Sequence, residues 1–156
     1  DREAASRVIQ SARVGADLVI ADMHWGAEYQ DHPIPQVVEL SHWLIDQGVD
    51  IVIGGHPHWV QGIFRYKNHP IVYSLGNFVF DQDWSPETKQ GMAVEIAFPP
   101  NHADKVTIRP IPLQIDLSQP HVVEGEAYQK RLDQLSKISG DDVKEQVRQG
   151  SVLFAW

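Results

Sequence analysis

Ala16-Asp17-Leu18-Val19-Ile20-Ala21-Asp22-Met23-His24-Trp25-Gly26 and Asp50-Ile51-Val52-Ile53-Gly54-Gly55-His56-Pro57-His58 follow one pattern, a short apolar run that leads into glycine and histidine. Apolar runs of this length suit strands covered on both faces, here residues 16–21 and 50–53. Between them, residues 37–47 read as a helix with Val37, Leu40, Leu44 and Ile45 on its inner face and Gly48 at its end. Residues 3–14 read as another, with Ala5, Val8, Ile9 and Ala12 as its apolar stripe and Gly15 as its stop. Helix, strand, helix, strand favours a parallel pair within a doubly covered sheet, and so an α/β fold. The opening Asp1-Arg2-Glu3-Ala4-Ala5 reads as helix interior without a cap, so the expectation is that the chain begins inside a larger protein.

The pattern changes after His58. Residues 60–66 and 71–75, around a turn at Lys67-Asn68-His69-Pro70, read as a hairpin. Met92, Val94, Ile96 and Phe98 alternate with smaller or polar residues, as do Val106 and Ile108 in a following strand. At Pro110-Ile111-Pro112 the phase slips, which predicts a bulge or an edge before Leu113 and Ile115. Pro99-Pro100-Asn101-His102 reads as the turn between these strands. Residues 117–123 read as a linker. Beyond them lie a polar helix with Tyr128, Leu132, Leu135 and Ile138 inward and, after Gly140, a last helix over 141–148. The expected organisation is a main α/β unit over residues 1–117 and a peripheral helical tail over 118–156.

Composition removes several classes of function. The 156 residues carry 21 acids against 13 Lys and Arg, a formal charge of -8, which argues against a general nucleic-acid binder. Such a binder needs a basic face to displace counterions from phosphates, and Arg131, Lys137 and Lys144 are interleaved with acids. Cysteine is absent, which excludes disulfides, thiolate metal sites and cysteine nucleophiles. No apolar run reaches the roughly 20 residues of a spanning helix.

The chemistry sits in the two loops that follow the first strands. Ligands in open α/β sheets bind at the carboxyl ends of parallel strands. If these strands are neighbours, His24, His56 and His58 emerge at one edge. In extended backbone His56 and His58, two residues apart, point to the same side, with Pro57 restricting its own φ and the conformation of His56. Gly54 and Gly55 permit close backbone approach and positive φ. Three neutral imidazoles suffice for an open site for Zn, Mn or Fe. The competing reading of His56 and His58 is a plain turn with one imidazole packed on Trp59. Trp25 and Trp59 are either pocket walls or core. Glu28 is first an outer partner that orients an imidazole, otherwise a ligand or a solvated acid. Asn77 either closes an Asx-turn or reaches the same pocket. His24, Glu28 and Asn77 are the candidates for the reacting set. His32, His42, His69, His102 and His121 read as surface or helix-face residues.

Three strings resemble the CapA (PGA_cap) family of bacterial capsule and poly-γ-glutamate synthesis proteins: residues 16–20 with His24-Trp25-Gly26-Ala27-Glu28-Tyr29, residues 48–54 with His56-Pro57-His58, and Pro70-Ile71-Val72-Tyr73-Ser74-Leu75-Gly76-Asn77-Phe78-Val79-Phe80-Asp81. The resemblance runs over about residues 3–115. It implies the C-terminal portion of a calcineurin-like metallophosphoesterase, a four-layer α/β/β/α sandwich. It also implies a centre of two divalent metal ions (Mn, Zn or Fe) to which His24, His56 and His58 contribute. The bridging Asp and an Asn-His pair would come from motifs upstream of this chain. Gly55 stands where some relatives have a histidine, so one possible donor is missing. The implied partners are an anionic polymer or a phosphoester substrate, the N-terminal remainder of the same domain, and a capsule-synthesis complex. The implied location is outside the cytoplasmic membrane, with an anchor upstream. Two other readings stand beside this one: a true phosphoesterase or phosphodiesterase, and a metal-free polymer-binding or interaction domain.

Overall fold

A computed structural model describes residues 1–100 and 104–156. The turn expected at residues 99–102 and the surface reading of His102 therefore fall partly or wholly outside the described residues. The elements are α1 (Arg2–Val14), β1 (Ile20–His24), α2 (Pro35–Asp46), β2 (Ile51–Gly55), β3 (Val60–Tyr66), β4 (His69–Leu75), β5 (Gln90–Ala97), β6 (Lys105–Asp116), β7 (Gln119–Val122), α3 (Gly125–Lys137), α4 (Lys144–Arg148) and β8 (Val152–Ala155). No helix among the described residues is long and apolar enough to cross a membrane.

The fold is α/β, as the pattern of runs implied. One sheet has the order β1-β2-β4-β3, with β1, β2 and β4 parallel and β3 antiparallel to β4. The other has β5-β6-β7, with β8 also on β6. Alternation along the central strands explains why their sequences are apolar throughout. Val52, Ile71 and Tyr73 face Ile9 of α1 and Val37, Leu44 and Ile45 of α2. Ile51 and Val72 face Met92, Val106 and Ile108 of the second sheet. Ile51, Val52, Ile71 and Val72 are 0% exposed, and each such burial stabilises the fold by about 1.5–3 kcal/mol.

Several expectations are corrected. The first strand runs over Ile20–His24, later than residues 16–21, and Asp50 Oδ2 accepts from Val19 N just ahead of it. Apolar content there follows burial, whereas the ladder is set by the partner strand: Ile20 pairs with Ile51 and His24 with Gly55. Likewise Gly54 and Gly55 belong to β2 rather than to a turn. Asp1 caps α1, its carboxylate accepting from Glu3 N and Ala4 N, where the sequence suggested an uncapped interior.

No bulge interrupts β6. It pairs without a slip from Gln90↔Gln114 to Ala97↔Thr107 along β5. The prolines fit because β8 pairs only with Lys105–Ile108 and β7 only with Leu113–Asp116, and Pro110 and Pro112 fall in the gap. Val123 N donates to Pro112 O, which shows that this residue's polar backbone side faces the gap and not β5. The expected linker is a β6–β7 hairpin, turned at Leu117 (φ 50) and Ser118 (φ 64).

Residues 118–156, expected as a peripheral helical tail, take part in the core. Leu135, Val143, Val147, Val152 and Phe154 join Ile51 and Val72 in one cluster. Residues 139 and 140 also cover the free edge of β3, since Ile63 N donates to Ser139 Oγ and Gly140 N to Ile63 O. The strand β8 had no reading in the sequence at all.

His42 on α2 stacks on Tyr66 with ring centroids 3.8 Å apart. Burial pushes its imidazole below the ordinary value of 6.5, with the Asp46 carboxylate pulling the other way. The unfolded chain therefore takes up this proton first as pH falls. The stabilising contribution is complete above pH 6.5 and is lost as pH falls through that value towards the lower folded one. His42→Phe keeps the ring stack and removes the proton site. Its melting temperature is expected to fall less than that of the wild type between about pH 7.5 and about pH 5, measured by calorimetry. Parallel curves would show that His42 contributes nothing to the acid limb.

Candidate metal centre

β1 and β2 end in register, and the loops that leave them are laced together. Trp25 N donates to Gly55 O at 3.1 Å, and Tyr29 N to Pro57 O at 2.8 Å. Trp25 itself is buried, its indole donating to Tyr73 O at 3.0 Å beneath Gly54, so it is core and an anchor for the loop rather than a pocket wall.

The histidine loop is not extended. His56 has φ 97 and His58 φ 62, which overturns the argument that an extended backbone places both on one side. Positive φ falls on the histidines, while Gly54 supplies close approach to Tyr73 O and Trp25 Nε1 and Gly55 has open space beside it. Backbone of this kind costs about 1–3 kcal/mol per residue and persists where the surroundings over-determine it, as in functional sites.

This loop and the end of β1 set His56 in contact with His24 and, with ring centroids 6.0 Å apart, near His58; the group that His56 forms with Glu28 and His58 does not include His24. His56 Nδ1 lies 3.1 Å from His24 Nε2, with ring centroids 4.7 Å apart. Two ligands held at about 2.0–2.1 Å and roughly 90–110° apart around one ion are themselves about 2.9–3.4 Å apart. The His24–His56 contact thus has the spacing of a ligand pair as well as that of a hydrogen bond. A second group shares His56: donor atoms of Glu28, His56 and His58 all lie within 4.8 Å of one another, with Glu28 Oε1 4.0 Å from His58 Nε2. Neutral imidazole and carboxylate are the donor set for Zn, Mn or Fe, so these residues fit the divalent ions that the resemblance implies.

Asn77 reaches the histidines, as one of its two readings expected, but from behind His58. It is buried, and its Nδ2 donates to the backbone carbonyl of Thr88 at 2.9 Å. A carbonyl only accepts, so the amide orientation is determined and Oδ1 faces His58 Nδ1 at 2.8 Å. His58 must therefore carry its proton on Nδ1, which leaves the Nε2 lone pair on the side of Glu28. Asn77 orients a candidate ligand from behind, in the manner of outer partners at metal sites. Tyr29 stacks on His58 at 5.8 Å and Phe80 lies 5.1 Å from it. Gln82 reaches both Asn77 Nδ2 and the Tyr29 hydroxyl. None of these supports was singled out in the sequence, and the Thr88 contribution, a backbone carbonyl, leaves no signal there.

Trp59 lies apart from the three imidazoles, on the wall of a separate cavity. His32 pairs with Asp31, His69 stacks on Trp156, and His121 lies on β7. They stay outside the site, as expected.

Residues 1–82 match the family model described as bacterial capsule synthesis protein PGA_cap, and the chain belongs to that family. It is 41% identical over 99 residues to the capsule biosynthesis protein CapA of Bacillus anthracis, covering 64% of this chain and 24% of that protein. With the PGA biosynthesis protein CapA of Bacillus subtilis (strain 168) it shares 37% over 111 residues, 71% of this chain and 29% of the relative. A probable polyglutamine synthesis accessory protein of Mycobacterium tuberculosis (strain ATCC 25618 / H37Rv) is 36% identical over 81 residues, 52% of this chain and 21% of that one. The chain thus spans about a quarter of the length of these relatives. Membership of this family is consistent with the calcineurin-like superfamily.

Proposed function

We propose that this chain is the histidine-bearing part of a protein of capsule or poly-γ-glutamate synthesis, and that His24, His56 and His58 form part of a hydrolase-type divalent metal centre. The observation that carries the metal reading is the double membership of His56, in contact with His24 on one side and grouped with Glu28 and His58 on the other. The names of the relatives support the polymer role. Bound Mn, Zn or Fe would supply a Lewis acid and a water activated at neutral pH. The residues of this chain hold and orient. His24 and His56 offer adjacent nitrogens, His58 offers Nε2 in a tautomer set by Asn77, and Glu28 stands exposed at the rim. The bridging carboxylate and the other ligands belong to the N-terminal remainder of the domain, and with them the centre takes two ions. The substrate is the anionic polymer or a phosphoester, and the site of action lies outside the cytoplasmic membrane, within a capsule-synthesis complex tethered by an upstream segment.

The test is polymer yield. In a polymer-producing strain, replacing the full-length protein by its His58→Asn variant is expected to abolish surface polymer at an unchanged protein level. Undiminished polymer would remove the metal centre from the role. The chain by itself is expected to leave generic phosphodiesters uncleaved with Mn or Zn added, and robust turnover would favour a self-sufficient phosphodiesterase instead.

A further inference from the structure

Residues of β3, β5 and α3, with Trp59, line a cavity of about 340 Å³. Its floor is apolar: Met92 and Leu135 are buried, and Pro112, Ile138 and the Trp59 ring complete it. Arg131 on the wall calls for an acceptor from the cavity, and an unsatisfied indole lies buried in the same wall. The Trp59 indole N–H is out of contact with solvent and has no hydrogen-bond partner. The Arg131 guanidinium is half-buried and, among the described residues, bonded to neutral amides alone, with Nη2 donating to Gln114 Oε1 at 2.9 Å and Nη1 to Gln134 Oε1 at 3.3 Å. Burial alone pushes it below the ordinary guanidinium range, with no carboxylate offsetting the cost. A cation without a counter-charge, fixed above an apolar floor, is what a carboxylate on an aliphatic body complements. The other charges at the cavity, Asp31, Glu87 and Lys137, are exposed at its mouth, where water and salt screen them.

We propose that this cavity binds a carboxylate carried on an aliphatic body, with Arg131 as its counter-ion. The identity of the natural ligand as a γ-glutamyl unit rests on the polymer reading given above, and the site would then hold one unit of the chain beside the metal centre.

Calorimetry in EDTA takes the metal centre out of play, with glutarate and a γ-glutamyl trimer as the probes. Both are expected to bind the wild type. Arg131→Gln, which keeps an amide beside Gln114, should weaken both by about tenfold or more, while the exposed Lys130→Gln leaves them unchanged. In a nitrogen–proton spectrum, with Trp59→Phe used to assign the peak, the Trp59 indole resonance should move on addition of glutarate. Glutarate binding without trimer binding would support the cavity as a carboxylate site and remove the polymer as its ligand. Failure of glutarate to bind, equal affinity in Arg131→Gln, or a stationary Trp59 resonance would each overturn the proposal, and none of them bears on metal uptake.

Discussion

His56→Asn is expected to abolish most divalent-metal uptake by this chain while leaving its melting temperature nearly unchanged. His56 is the donor common to both candidate groups, so its removal breaks the His24 pair and the Glu28–His58 trio at once. The fold tolerates the change because the residue lies in a loop, outside both core clusters. Asparagine also accepts positive φ better than most residues, so the φ of 97 is carried without added strain. Asn77→Ala provides the graded comparison. It leaves every candidate ligand in place but frees the His58 ring, and is expected to cost about 10–100-fold in metal affinity. Asn77→Asp restores an acceptor for His58 Nδ1 and should recover part of that loss. Acid should weaken uptake in every case, since imidazole must be unprotonated to bind. Metal content and affinity, read by elemental analysis and competition with a chelating dye, decide the matter. Uptake by His56→Asn equal to that of wild type would leave the interaction-domain reading in its place.

A large loss of stability is expected from Gly54→Ala. A Cβ at this position would stand 2.2 Å from Tyr73 O and 2.4 Å from Trp25 Nε1. The first is backbone of a central strand and the second is the donor that anchors the histidine loop, so neither can move aside without a loss. Overpacking combined with a broken buried hydrogen bond gives about 3 kcal/mol or more, which is roughly 6–12 °C in melting temperature at this chain length. Gly55→Ala is the control: nothing lies within 4 Å of its added carbon. Its melting temperature should stay within about 0.5 kcal/mol equivalent of wild type. Similar losses in the two variants would show that the crowding around Gly54 relaxes at little cost.

Much of this was legible in the sequence, for identifiable reasons. The helices and the runs of β2, β3 and β4 were readable because burial on one stripe or on two faces leaves a periodic or continuous apolar signal. The approach of His24 to His56 followed from parallel neighbours ending at one edge, even though the extended loop invoked for the histidines is replaced by positive-φ backbone at His56 and His58. What remained hidden was non-local. The start of β1 is set by its ladder with β2, and the unbroken course of β6 depends on a gap between two other strands. The role of Asn77 depends on a carbonyl eleven residues away. The last strand, four residues long, lacks the length for periodicity to register.

That last strand also determines the order in which the molecule can assemble during synthesis. Val147, Val152 and Phe154 are 0% exposed in the cluster between the sheets, against residues some 80 to 100 positions earlier. During synthesis α1, α2 and the parallel strands emerge before β8, with their sheet-facing apolar side uncovered until it follows. Closure of such distant contacts is slow, and uncovered strands are the surface on which chains aggregate. Removal of β8 therefore strikes at solubility during expression before it touches the histidines.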